Sequence, residues 1–351
     1  LTPHDLTGYK LPNGKQHKEK RCMSKSYRPT TTSLSPKPFT KAPNFQDPAI
    51  AELLQMHTFC RPHDGETVKE FCKKYIDKLP GMKTDKVGNR IVRIGNAPVL
   101  WSSHTDTVHK QDGKQRLTYA AGMLYLAEKS PSNCLGADCT VGVWLMRQMI
   151  LRQIPGLYIF HHAEEVGGIG SDYIATKTPH LLNDIDYAIA FDRKGTNSII
   201  THQFRRCASD SFGLALAAQL GPNFTLDDGG TFTDTANYMD LVPECTNISV
   251  GYYSQHTAAE VQDVGFAAHL LNKLCALDPS SLPVDRDPSN AGDFGARDFH
   301  ASYYTEGLKR TPNLYDLVFE QPQVATKILE DLGISADDFA YYAWEADNVR
   351  Q

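Results

Sequence analysis

Between residues 90 and 277 the chain alternates short apolar runs with longer stretches of helical spacing, and several of the runs end beside a residue able to bind metal or move a proton. Alternation of this kind builds a mostly parallel sheet covered by helices, because a parallel neighbour is reached only through a crossover. In an open sheet so built, chemistry gathers at the carboxyl ends of the strands. The expected fold class is therefore α/β, with a mixed, mostly parallel central sheet and helices on both faces.

Hydrophobic spacing places the elements. Helices are expected from Pro48, with Ile50, Leu53 and Leu54 on one face, and over Glu66–Leu79, after the break Arg61-Pro62-His63-Asp64-Gly65. Arg90–Ile94 and Pro98–Ser103 read as strands joined through Gly95-Asn96 as a hairpin turn. Residues 117–127 read as a short strand or hairpin, Thr140–Leu151 as a helix ended before Pro155, and Leu157–His161 as a buried strand. Gly167-Gly168-Ile169-Gly170 opens a helix, Tyr187–Phe191 and Ser198–His202 are strands, and Ala208–Leu220 is a helix closed by Gly221-Pro222. Cys245–Tyr253 reads as one strand and Val261–Leu277 as one helix.

Outside this block the composition shifts. Residues 1–42 carry few aliphatic side chains, many Lys, Arg, Ser, Thr and Pro, and almost no acid, the make-up of an arm rather than a core. After Asp278 the chain turns to Pro, Ser, Asp and Gly, and Tyr315–Val318, Val324–Leu332 and Asp337–Trp344 read as pieces of a small helical extension. The expected organisation is an arm over 1–42, a catalytic domain over 43–278, and a linker with helical extension over 279–351. A net charge of -5 gives no reason to expect nucleic acid as a partner. No apolar run reaches the length of a membrane span or forms a signal-peptide core, so no membrane is expected. The eight cysteines have neither zinc-ribbon spacing nor the density of a disulfide scaffold; most are expected to be free and buried, with cytoplasmic residence preferred.

Five positions in the order His104, Asp138, Glu165, Asp192, His256 offer the donors that two neighbouring divalent ions require: imidazole or carboxylate on each ion and one carboxylate between them. Asp138 is the expected bridge and the other four the terminal ligands. Asp106, two residues after His104, is expected to accept the second imidazole N–H and fix the tautomer. Adjacent residues on an extended segment face opposite ways. With Glu165 on metal, Glu164 is left as the candidate general base for a water made acidic by the ions. Each residue alone has an ordinary explanation: Asp192 as a helix cap, Glu164-Glu165 as caps of the next helix, and His162 or His202 as surface or hydrogen-bonded histidines. Their coincidence near strand ends favours the two-metal site.

His104-Thr105-Asp106-Thr107-Val108, Leu135-Gly136-Ala137-Asp138, Glu164-Glu165-Val166-Gly167-Gly168-Ile169-Gly170-Ser171 and Gln255-His256-Thr257-Ala258-Ala259-Glu260 resemble the signature blocks of the co-catalytic dinuclear zinc exopeptidases, a clan with bacterial aminopeptidases, peptidase T and carboxypeptidase G. Asp85-Lys86-Val87-Gly88-Asn89-Arg90-Ile91 is similar to the clan's strand-leading Gly-Asn. The resemblance covers residues 45–277 and implies two Zn2+, or Co2+ or Mn2+, on the same five ligands, with Glu164 as base and Asp106 supporting His104. Cys139 stands where many relatives have a second Asp. The interval from Asp192 to His256 is too short for the dimerisation domain that carboxypeptidase G and peptidase T insert, which favours the compact aminopeptidase branch. That branch implies an acidic group near the substrate amine, for which Asp228, Asp234 and Glu260 are the nearby candidates, and Tyr252 or Tyr253 as an oxyanion donor.

The leading expectation is a zinc-dependent exopeptidase, an aminopeptidase, acting on a peptide or an amino-acid-derived small substrate. The alternatives are an N-acyl amino acid amidohydrolase, with Arg193, Arg205 or Arg206 on a substrate carboxylate, and a glutaminyl cyclase using one metal. From another class comes a peptidase-fold scaffold that binds or oligomerises through its extensions.

Overall fold

The computed structural model describes residues 43–289 and 322–331, all within one compact unit, Pro38–Gln351. Its central sheet has eight strands: β1 (Lys83–Thr84), β2 (Arg90–Ile94), β3 (Val99–His104), β4 (Gly156–His161), β5 (Tyr187–Arg193), β6 (Ser198–Ile200), β7 (Thr225–Asp227) and β8 (Glu244–Ser249). Their spatial order is β7-β6-β8-β5-β3-β4-β2-β1. The middle four, β8, β5, β3 and β4, are mutually parallel, whereas β2 runs antiparallel to β4 and β6 antiparallel to β8. Every residue of β3, β4 and β8 is buried, as expected for strands covered on both faces.

Helices α1 (Pro48–Met56), α2 (Glu66–Tyr75), α3 (Ala137–Leu151), α4 (Ile169–Lys177), α5 (Asp210–Leu220), α6 (Val264–Ala276) and α7 (Pro322–Asp331) complete the described chain. In α1, Asp47 caps the Ala49 N–H, Pro48 sits in the first turn, and Ile50, Leu53 and Met56 are buried against α3. α3 lies across β3 and β5 with α6 beside it, and α4 joins the 3-10 turn Asp234–Tyr238 that rests on β3, β5 and β8. Trp101 of β3 stacks on Phe191 of β5 with ring centroids 5.7 Å apart, which ties adjacent parallel strands inside the core. A separate four-stranded sheet, Leu117–Ala120, Met123–Leu126, Val261–Asp263 and Tyr252–Tyr253, stands near the carboxyl edge.

Three sequence expectations are corrected. β2 and β3 are not a hairpin: β4 inserts between them, because β3 and β4 are buried throughout and each needs a strand on both sides. Cys245–Tyr253 is not one strand, since Gly251, at φ +97°, turns the chain out of β8 into the smaller sheet. Val261–Asp263 is a strand of that sheet, and the helix starts only after Asp263, whose carboxylate accepts the Phe266 N–H at 2.8 Å. The arm over 1–42 and the helical pieces Tyr315–Val318 and Asp337–Trp344 lie outside the described residues; α7 covers the third piece. No helix among the described residues is long and apolar enough to cross a membrane, and the seven described cysteines are free, six of them buried.

Candidate active site and metal centre

The carboxyl ends of the parallel strands converge on one pocket. His104 is the last residue of β3, Asp138 opens α3, Glu164 and Glu165 follow β4, Asp192 lies near the end of β5, and His256 sits in the turn after Tyr252–Tyr253. Asp138 stands at the centre. Its Oδ1 is 3.0 Å from His104 Nε2 and its Oδ2 is 3.2 Å from His256 Nε2. Asp192 Oδ1 lies 3.4 Å from His104 Nε2 on the first side, and Glu165 Oε2 lies 3.4 Å from His256 Nε2 on the second. One carboxylate thus faces two half-sites, each completed by an imidazole and an acid.

The donor chemistry fits two cations. His104 Nδ1 donates to the Asp106 main-chain carbonyl at 3.1 Å and Nε2 faces the Asp138 and Asp192 carboxylates; burial alone would lower this imidazole, but Asp192, Asp106 and Asp138 hold it well above its ordinary range. Glu165 Oε1 and His256 Nε2 are buried without a hydrogen-bond partner among the described residues. Burial alone would lower His256, but Asp138 and Glu165 hold it up to about 11, which reports the excess of negative charge a cation would offset. A divalent ion in each half-site would place every one of these donors on metal.

The surroundings fix these candidate ligands. The Asp106 carboxylate is 3.6 Å from His104 Nδ1, and the Asp106 carbonyl accepts that N–H at 3.1 Å. The carboxylate accepts the main-chain N–H groups of Glu164 and Glu165 at 3.2 and 3.3 Å and so sets the turn that carries both acids. Glu260, one of the acids expected near a substrate amine, lies behind the bridge and accepts N–H groups from Gly136 and Asp138 at 2.7 and 3.1 Å. Thr233 donates to Asp192 Oδ2 at 2.7 Å, and Asn247 both accepts the Asp192 N–H and donates to its carbonyl. Tyr252 lies with its hydroxyl 3.4 Å from Asp192 Oδ1. Behind the site, fully buried Arg61 donates to the Thr105 carbonyl at 2.9 Å and to Thr140 Oγ1 at 2.8 Å, linking the chain after His104 to α3. The sequence reading missed Arg61, Thr233 and Asn247, whose partners lie far off in the chain.

Cys139, directly after the bridge, donates its thiol to the Phe191 carbonyl at 2.8 Å and lies 2.9 Å from Ser103 Oγ. Burial raises the thiol far above its ordinary range and keeps it protonated. Glu164 has the opposite setting to a surface acid: burial drives its carboxyl well above the usual range, with His104 opposing and Asp192 adding to the effect. His202 is bonded to Thr201 Oγ1 at 3.0 Å, and Asp234 is buried 3.2 Å from His161 Nδ1.

A cavity of about 350 Å³ opens onto Asp138, Glu164, Glu165, Asp192 and His256. Its apolar wall is Ile200, Phe204, Phe232 and Ile328 of α7, and Arg193 and Tyr252 also line it. Asp228, Asp234, Glu260, Arg205, Arg206 and Tyr253 do not. Arg205 and Arg206 are instead paired with Asp240 and Asp210.

No family model matches the sequence, and no curated protein does. Solved structures share its backbone arrangement. The aminopeptidase PepT from Bacillus cereus superposes with a TM-score of 0.55 at 15% identity, over 66% of this chain and 97% of that one. The chain shares the backbone fold of that structure. A tripeptidase from Staphylococcus aureus gives 0.52 at 14% identity over 65% and 96%, and a dodecamer, PhTET1-12s, gives 0.50 at 14% over 65% and 98%. At such identities the likeness carries the fold alone.

Proposed function

We propose that the protein is a two-metal exopeptidase, most simply an aminopeptidase, with zinc-class ions held by His104, Asp192, Asp138, Glu165 and His256. The observation that carries this reading is the Asp138 carboxylate, one oxygen directed to each imidazole of two half-sites. When bound, the ion pair would lower the pKa of a water and polarise the scissile carbonyl. Glu164, lining the cavity on the turn fixed by Asp106, takes the proton of the attacking water and delivers it to the leaving amine. Asp106, Thr233, Asn247 and Glu260 hold the ligand-bearing backbone and carboxylates in place, so little reorganisation is left for the reaction itself. The apolar wall of Ile200, Phe204, Phe232 and Ile328 accepts a substrate side chain. Since one structural neighbour is a dodecamer, self-assembly of this chain belongs to the same proposal.

A second reading is favoured by Arg193. It lines the cavity, pairs with Asp227 through Nη2 at 2.9 Å, and buries Nε without a hydrogen-bond partner among the described residues. Such a group suits a substrate carboxylate, as an amidohydrolase on N-acyl amino acids would need. Turnover of matched free-amine, N-blocked and N-acyl substrates, before and after chelation, decides. Cleavage of free-amine peptides that stops on chelation supports the aminopeptidase, and cleavage of N-acyl amino acids alone replaces it with the amidohydrolase. Activity that survives complete metal removal overturns both.

A further inference from the structure

Away from the pocket, a second group of metal-type donors comes together where no local motif announces it. We propose that His63, Asp64 and His162 form a separate mononuclear site for a divalent transition-metal ion of the zinc class. His63 and Asp64 belong to the loop between Cys60 and α2, whereas His162 follows the last residue of β4. His63 Nε2 is 3.1 Å from Asp64 Oδ2, and His162 Nε2 is 3.9 Å from Asp64 Oδ1. The carboxylate therefore lies between two imidazoles whose ring centroids are 5.2 Å apart. Neighbouring ligand atoms on a tetrahedral zinc with bonds near 2.1 Å stand about 3.4 Å apart, so one donor from each residue can reach a common ion with small side-chain rotations.

The alternative is a solvent-facing His-Asp-His hydrogen-bond cluster. An exposed ion pair contributes too little to hold three side chains in register, and here His162 is held by other means. His162 is fixed through its main chain, its N–H donating to Asn89 Oδ1 at 3.0 Å. Its ring packs against Gly88, where a Cβ would come within 3.3 Å of His162 Cγ, so glycine leaves the imidazole its place. His63 has its Nδ1 buried without a hydrogen-bond partner among the described residues, while its Nε2 points at the carboxylate. Side-chain exposures of 26% for His63, 24% for His162 and 72% for Asp64 leave an open approach for an ion and for water as a fourth ligand. Two neutral imidazoles and one carboxylate form a donor set of borderline softness with a single negative charge, suited to zinc, nickel or copper rather than to calcium or magnesium.

An ion there would join the loop after Cys60 to the strand end that leads into Glu164 and Glu165. Its role is that of a clip. The site rests on none of the residues that make up the two-metal centre.

The test is zinc binding by the full-length chain, stripped with chelator and returned to equilibrium with zinc across a concentration series, with bound metal measured by elemental analysis. His63→Ala and His162→Ala are each expected to bind one equivalent fewer than the parent, and His63→Ala to keep its turnover. In an Asp138→Ala background one equivalent should persist and vanish when His63→Ala is added, which separates this site from the catalytic pair whatever the fate of that assignment. Far-ultraviolet circular dichroism of each variant establishes that it is folded, and His63→Gln serves if His63→Ala is not. Equal zinc stoichiometry and equal affinities in the parent, His63→Ala and His162→Ala overturn the proposal.

Discussion

Two adjacent acids, Glu164 and Glu165, are held by one carboxylate yet face different tasks. Both line the cavity, but among the described residues it is Glu165 that lies 3.4 Å from an imidazole, His256, so the same substitution should separate their roles. Glu164→Gln is expected to keep its metal and lose roughly a hundredfold or more in kcat. Glu165→Gln should instead weaken metal binding, measured as zinc retained after dialysis. Exchanged phenotypes would reverse base and ligand. Cys139→Ser should retain both metals and most activity, because the thiol is spent on the Phe191 carbonyl; loss of a zinc equivalent would put sulfur on the metal. The order of histidines and acids was legible in the sequence because most of them stand at or just after a strand end, while Asp138 opens α3. Thr233, Asn247 and Arg61 were not, since each acts on residues distant in sequence through contacts that leave no spacing signal. Asp106 was found for its position beside His104, but its own carbonyl, invisible to side-chain reasoning, also lies against the His104 Nδ1 N–H, at 3.1 Å.

The elements bring these residues together only if α3 can lie close against the sheet. Gly142 permits this. A Cβ there would fall 2.4 Å from Cys139 Sγ, 2.5 Å from the Phe191 carbonyl and 2.7 Å from Ser103 Oγ, and the carbonyl belongs to a central strand that cannot yield. Gly142→Ala is therefore expected to destabilise the fold by about 1–3 kcal/mol, the usual cost of overpacking. Gly213→Ala in α5, whose nearest neighbours would be Leu226 side-chain atoms at 3.2 Å or more, should cost far less or gain from helix propensity. Urea midpoints of both variants check the contrast, and equal midpoints would remove the close-approach argument. Strand and helix types were readable from apolar spacing, but pairing was not. Arg90–Ile94 and Val99–His104 look like a hairpin across Gly95-Asn96, and nothing local says that β4, which begins 52 residues after His104, enters between them. Asp263, three residues before Phe266, was a readable cap for α6 and outweighs the apolar spacing that runs on from Val261.

At the scale of the whole molecule, burial of neutral histidines away from the candidate metal ligands makes stability fall as pH falls. The sheet and its flanking helices follow from the alternation of elements, but which histidines lie in the interior follows from tertiary packing alone, so His57 and His109 carried no signal in the sequence. Burial pushes His57 down to about 4; His109 falls to about 4 through burial and the nearby Arg61 charge. His109 sits in a hydrogen-bond network: its Nδ1 is 2.6 Å from Thr107 Oγ1 and accepts the Arg61 N–H at 3.4 Å, and its Nε2 donates to Gln115 Oε1 at 3.2 Å. In the unfolded chain both return to about 6.5. The unfolded state then binds more protons between those values, so this stabilisation is complete above about pH 6.5 and is lost as pH falls toward 4. At the bottom of that window the loss is roughly 3 kcal/mol per histidine, from a shift of about 2.5 units. His57→Leu removes one of the two protons from the balance without adding a titrating group. Urea unfolding at several pH values from 7.5 to about 5 should show the parent losing stability faster than His57→Leu, by a slope of up to one proton. Parallel lines for the two proteins would mean that His57 is already protonated in the folded state, or reached by water, and that the acid sensitivity arises elsewhere.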